Sequence, residues 1–306
     1  MRVPTILTLA ALATLALAPA ATFAQGTPEH AHDHADAAAS PAAPARDPNM
    51  PADEGAAKDA LERSPRHGEY HDVPMPGGGA PLRTWIVYPE RADKAPVVLI
   101  IHEIFGLSDW IRALADQLAR DGFIAVAPDL LSGLGPNGGG TESFPGRDSV
   151  VAAIRRVTPQ VAWERLDAAR EWATALPAAN GRCGTVGFCW GGARSFEYAA
   201  ARRALDAAVV YYGTSPDSAS LTQLQVPVLG LYGGDDARVN ATIEPAKRVL
   251  GAAGRRLYQV RTFDRAGHGF LRQQTGREGA NLKATRGAWP LTLTFLRASL
   301  SAKPRK

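Results

Sequence analysis

The chain has 306 residues, of which 45 % are hydrophobic and 21 % charged; this is the balance of a soluble globular protein and excludes disorder along its whole length. Its formal charge of +4 is unevenly spread: residues 25–60 hold seven acids and two bases, whereas residues 61–306 carry +8. A basic domain suits an anionic small substrate, but no aromatic-interleaved basic stripe accompanies the charge, so nucleic acid is not an expected partner.

The chain opens on Arg2, runs through an apolar stretch at 6–18 and reaches Ala20-Ala21-Thr22-Phe23-Ala24. A positive start, a hydrophobic run and small residues before a cut describe a secretory signal peptide over residues 1–24. An uncleaved anchor is the alternative, but a span needs ~20 apolar residues and this run is interrupted by Thr14 and Pro19. A periplasmic or secreted bacterial protein with no stable membrane anchor is expected. Residues 25–65, rich in Ala and Pro, have too few large apolar side chains to offset the entropy of ordering and read as a disordered tether. His30, His32 and His34 within it could hold Zn²⁺ or Cu²⁺ loosely. A solvated polar tail is the preferred reading, because a flexible tract offers the metal ligands no supporting hydrogen bonds.

From residue 66 the pattern turns to strand, then to alternating strand and helix. Residues 69–75 and 82–88 read as a hairpin around Pro76-Gly77-Gly78-Gly79. The apolar run 96–101 is a strand buried on both faces. A helix over 110–120 follows, with Ile111, Leu114, Ala115 and Leu118 at helical spacing, then a second buried strand, 123–127. Residues 132–148, rich in Gly, Pro and Ser, form a candidate active-site loop. Helix 160–175, strand 183–188, helix 190–203 and strands 207–211, 228–232 and 257–263 come next. A helix at 245–253 and a closing helical segment complete the chain, with Pro290 marking a break or a helix start. This alternation predicts an α/β fold over residues 66–306, a mostly parallel central sheet with helices on both faces.

The chemistry concentrates at Gly187-Phe188-Cys189-Trp190-Gly191, a Gly-x-nucleophile-x-Gly string with cysteine at the centre. A nucleophile on a sharp strand-to-helix turn needs glycine two residues either side, where a side chain would strike neighbouring backbone. The turn also sets the thiol at a helix N-terminus, whose dipole favours thiolate and oxyanion. The competing reading, a cysteine used as core filling, is weakened by the strand before the string and the helix after it. Cys183, the only other cysteine, has no such context. If 182–188 is a strand, it stands roughly 20 Å from Cys189, beyond disulfide reach.

Of seven histidines, only His268 lies downstream of Cys189. It sits in Ala266-Gly267-His268-Gly269-Phe270, a loop after the last strand, from which an imidazole can reach back to a thiol. Asp206, Asp217, Asp235, Asp236 and Asp264 lie between the two. Asp235 and Asp236 follow strand 228–232 at its carboxyl end, where open α/β sheets place their sites. Spacing does not decide between them.

Together, His102-Glu103-Ile104-Phe105-Gly106, Ala127-Pro128-Asp129-Leu130, the cysteine string, Gly234-Asp235-Asp236-Ala237-Arg238-Val239 and Gly267-His268-Gly269-Phe270 resemble the dienelactone hydrolases, over about residues 66–300. The resemblance implies an α/β-hydrolase fold, Asp236 as the acid of a Cys189–Asp236–His268 triad, and Glu103 contacting the thiol to help control its ionisation. A salt bridge from Glu103 to an arginine is the alternative. It further implies an oxyanion hole from the amides of Ile104 and Trp190, and Arg272 as one of two arginines holding a substrate carboxylate. The second arginine position falls at Leu131-Ser132-Gly133, so a related ester, lactone or thioester is an alternative substrate. The expectation is a monomeric hydrolase of a small ester or lactone that needs no cofactor or metal. The rival reading is a non-catalytic binding or redox-sensing protein on the same fold.

Overall fold

The computed structural model describes residues 47–301; the predicted signal segment 1–24 and the histidine tract 30–34 lie outside the described residues. Eight strands form one sheet: β1 (Gly68–Val73), β2 (Leu82–Val87), β3 (Ala95–Ile101), β4 (Ile124–Pro128), β5 (Ala179–Phe188), β6 (Ala207–Tyr211), β7 (Val228–Gly233) and β8 (Tyr258–Phe263). Their spatial order is β1-β2-β4-β3-β5-β6-β7-β8. β3 to β8 run parallel, while β1 and β2 are antiparallel to each other and β2 to β4. The helices are α1 (Ala57–Glu62), α2 (Asp109–Arg120), α3 (Arg147–Ile154), α4 (Pro159–Thr174), α5 (Trp190–Ala201), α6 (Ser218–Leu221), α7 (Ala237–Asn240), α8 (Ile243–Ala252) and α9 (Ala280–Leu300).

The two-residue period of β3 sorts its side chains onto two cores. Val98 and Ile100 pack with α2 and α9, while Val97, Leu99 and Ile101 pack with α4, α5 and α8. Burial on both faces explains why β3 and β4 read as unbroken apolar runs rather than alternating ones. Helix starts are set locally: Ser108 accepts from the Ile111 amide at the head of α2, and Thr158 accepts from the Val161 amide with Pro159 in the first turn of α4. No helix among the described residues is long and apolar enough to cross a membrane.

Three sequence expectations change. Residues 47–65, assigned to the tether, belong to the packed body. Met50, Ala52 and Ala57 are buried, the Trp110 indole donates to the Ala52 carbonyl at 3.1 Å, and 57–62 is helical. Short apolar residues used singly escape a reading based on composition. Pro290 neither breaks nor starts a helix; it lies inside α9. Both Pro290 and Arg286, whose carbonyl loses its i+4 donor, are exposed, so water can satisfy that group and the helix tolerates the proline. Segment 132–148 carries two 3₁₀ turns, Pro136–Gly138 and Thr141–Ser143, and runs directly into α3, which the sequence did not announce.

Candidate active site

β5 ends at Phe188 and α5 starts at Trp190, so Cys189 occupies the one-residue corner between them with φ 55 and ψ −115. Side chains rarely adopt that conformation, and it is held by the packing around it. A Cβ added to Gly187 would lie 2.0 Å from the Gly191 carbonyl oxygen, and one on Gly191 would lie 2.2 Å from that of Ile101. The flanking glycines are thus required by the close approach of β5, α5 and the end of β3. Cys189 is half-buried, and both cysteines are free.

His268, in the loop after β8, points Nε2 at the Cys189 sulfur, 3.0 Å away. Its Nδ1 lies 2.6 Å from Oδ2 of Asp236. Asp236 follows β7 and caps α7, where its Oδ1 accepts from the Val239 amide at 3.4 Å. The neighbouring Asp235 turns outward to an ion pair with Arg277; the structure therefore separates two aspartates that spacing could not. Burial would lower the His268 pKa, but its hydrogen bonds to Asp236 and Cys189 outweigh it and raise it to about 9. Cys183, fully buried in the core, is pushed up by that burial to about 12, which leaves it an inert thiol.

Glu103 and Ile104 follow β3 beside this corner. The hydrogen bond of Glu103 goes to Arg272, not to the thiol: Oε2 accepts from Arg272 Nε at 2.5 Å. Burial raises the Glu103 pKa, and Arg272 is the counter-charge that acts against this; a carboxylate taken out of water needs such a partner. Arg272 was expected at a substrate carboxylate. Here its Nη1 also pairs with Glu54, and its side chain is 10 % exposed. Trp190 opens α5 directly after Cys189, and as the first residue of the helix its amide has no partner within it.

Several residues around the site went unassigned in the sequence. His102 is buried; its Nδ1 lies 2.9 Å from the Glu103 carbonyl oxygen, and its Nε2 accepts from the Leu130 amide at 3.1 Å. Burial lowers its pKa, which keeps the ring neutral, with Nδ1–H as donor. It thereby fixes the backbone that carries Glu103 and Ile104. Asp129 ties down the glycine-rich segment by accepting from the Thr141 amide at 2.6 Å and the Thr141 hydroxyl at 2.7 Å. Tyr212 holds φ 40 and packs edge-on against the His268 ring, centroids 5.1 Å apart. The motifs containing His102 and Asp129 were the available signal; for Tyr212, whose backbone angle carries no sequence mark, there was none.

Cys189, His268, Glu103, Ile104, Tyr212 and Arg272 line a cleft of about 450 Å³, with Arg155 and Arg238 beside them. Its polar chain ends on a sulfur at a helix N-terminus, an arrangement suited to attack on an electrophilic carbonyl. A parallel sheet carrying such a strand-to-helix corner defines an α/β-hydrolase.

Comparison with known proteins narrows the class. The dienelactone hydrolase family model matches residues 82–300. Carboxymethylenebutenolidase of Pseudomonas putida is 33 % identical over 224 residues, which cover 71 % of this chain and 91 % of that protein. A carboxymethylenebutenolidase candidate from Salmonella typhimurium is 32 % identical over 210 residues, 64 % of this chain and 76 % of its own. The crystal structure of a dienelactone hydrolase candidate from Klebsiella pneumoniae matches with a TM-score of 0.66 at 25 % identity, covering 78 % of this chain and 99 % of that one. The chain belongs to the dienelactone hydrolase family and is a hydrolase of the carboxylic ester or lactone class.

Proposed function

We propose that the protein hydrolyses a small ester or lactone through an acyl-enzyme thioester, with Cys189 as nucleophile, His268 as acid–base and Asp236 as the group that orients it. The observation that carries this is the continuous chain from Cys189 Sγ to His268 Nε2 at 3.0 Å and from His268 Nδ1 to Asp236 Oδ2 at 2.6 Å. With the proton on His268, the sulfur adds to the carbonyl carbon, and the oxyanion is taken by the Ile104 and Trp190 amides. The C–O bond breaks, and the alkoxide leaves with the proton from His268. Water then gives a proton to His268 and attacks the thioester; the acid departs and the thiolate is regenerated.

We also read residues 1–24 as an export signal, so that the mature chain acts in the periplasm or outside the cell. The signal motif supports that reading, and N-terminal sequencing of secreted material tests it.

The decisive experiment is hydrolysis of short p-nitrophenyl esters and a dienelactone by the wild type, Cys189→Ala and Cys189→Ser. The alanine variant should lose about 10³-fold or more in kcat/KM, and the serine variant should retain a small fraction. If wild type and alanine variant are equally inert while the thiol still titrates, the hydrolytic reading falls and a binding or redox-sensing role replaces it.

A further inference from the structure

Arg272 is the most deeply buried cation of the cleft, with its side chain 10 % exposed. A guanidinium binds a carboxylate best with two parallel N–H groups. Nε of Arg272 is committed to Glu103, and Nη1 to Glu54. The two forks of a guanidinium combine the terminal nitrogens with each other or one of them with Nε, so these commitments obstruct both. Two carboxylates, Glu103 and Glu54, already flank its single positive charge.

Glu54 comes from a segment that precedes residues 82–300, the stretch matched by the family model. The segment is built into place. The Glu54 amide donates to the Arg272 carbonyl at 2.9 Å, and the Gln274 amide group donates to the Pro51 carbonyl at 2.9 Å. Met50 and Ala52 are buried beneath it. The other Glu54 oxygen holds Arg147 at 3.1 Å, and both arginines lie over the Phe105 ring, at 3.5 and 4.9 Å from its centroid.

We infer that Glu54 is a built-in carboxylate that occupies Arg272, making it a specificity-determining residue that turns the cleft toward esters and lactones whose acyl group is uncharged where it meets that arginine. The inference rests on the hydrolytic reading above. A substrate carboxylate would have to displace a tethered one, and the tether gives Glu54 a high effective concentration. The same segment braces the loop 270–274 directly behind His268, so charge and position arrive together.

The test pairs p-nitrophenyl butyrate with mono-p-nitrophenyl succinate, similar in length and differing in one carboxylate, on wild type, Glu54→Gln and Met50→Ala. Glu54→Gln keeps the side-chain shape and removes the charge; the succinate-to-butyrate ratio of kcat/KM should rise roughly tenfold. Met50→Ala loosens the segment but keeps the Glu54 carboxylate, and should raise the ratio far less than Glu54→Gln does. A ratio unchanged in Glu54→Gln, or raised equally in Met50→Ala, overturns the assignment. A second readout needs no turnover: the rate of Cys189 alkylation by iodoacetate relative to iodoacetamide, with Cys189→Ala as blank. That ratio should rise several-fold in Glu54→Gln, and a flat ratio overturns the assignment as well. Should wild type cleave neither ester, the hydrolytic reading fails while alkylation still decides the charge at Arg272.

Discussion

At the scale of single residues, His268 ties the site to stability. In the folded chain its pKa is raised to about 9 from 6.5; burial opposes this, and the Asp236 and Cys189 hydrogen bonds reverse it. A group whose pKa is raised on folding stabilises the fold fully below its unfolded value, and that contribution is lost as pH rises through the folded value. The His268 share is therefore complete below pH 6.5 and gone above about pH 9. Thermal unfolding of wild type and His268→Gln across pH 6–10 should show a Tm difference that shrinks through this window. A difference that stays flat would mean that the proton is held elsewhere. The sequence pointed to this histidine because it is the only one downstream of Cys189. Its acid was less legible: Asp235 and Asp236 are chain neighbours, and only the turn after β7 aims one inward and the other at Arg277. The partners of Arg272 were hidden for a different reason, since Glu54 and Glu103 lie 218 and 169 residues from it in sequence.

At the scale of elements, the corner between β5 and α5 is where local chain geometry becomes chemistry. An alanine at Gly191 would put its Cβ 2.2 Å from the Ile101 carbonyl oxygen and 2.4 Å from that of His102. Both are backbone atoms, so β3 itself would have to shift, and with it Glu103 and Ile104. Gly191→Ala should cost about 3 kcal/mol by urea denaturation and depress kcat. Gly251 in α8 meets nothing within 4 Å and has no positive φ, so Gly251→Ala should be neutral or stabilise by up to about 1 kcal/mol. Equal costs at the two sites would remove the steric argument. Elements were readable wherever burial imposed a pattern: β3, β4 and α2 fall within about a residue of the apolar runs that announce them. α3 was not readable because only Val150 and Ile154 of it are buried, and its first residues follow a glycine-rich stretch that reads as loop.

At the scale of the whole molecule, the domain begins earlier than its composition indicates. The antiparallel pair β1 and β2 closes one edge of the sheet, and the segment before β1 reaches the active-site side of the protein through Glu54 and Pro51. Its burial is modest: Met50 and Ala57 pack into the core shared by α2 and α9, Ala52 is buried, Trp110 gains a carbonyl partner, and Arg120 donates to the Pro48 carbonyl at 2.7 Å. One buried methionine contributes about 1.5–3 kcal/mol, and each hydrogen bond adds roughly 1 kcal/mol. A chain starting at Asp47 should therefore be about 4 kcal/mol more stable than one starting at Arg66, which retains its own ion pair with Asp116. Urea midpoints of the two chains measure this directly. The shorter chain should also lose kcat/KM on neutral esters, because the loop behind His268 loses its brace. Identical midpoints would return residues 47–65 to the tether. A loss of stability with turnover intact would separate anchoring from positioning and leave Glu54 with charge as its only role.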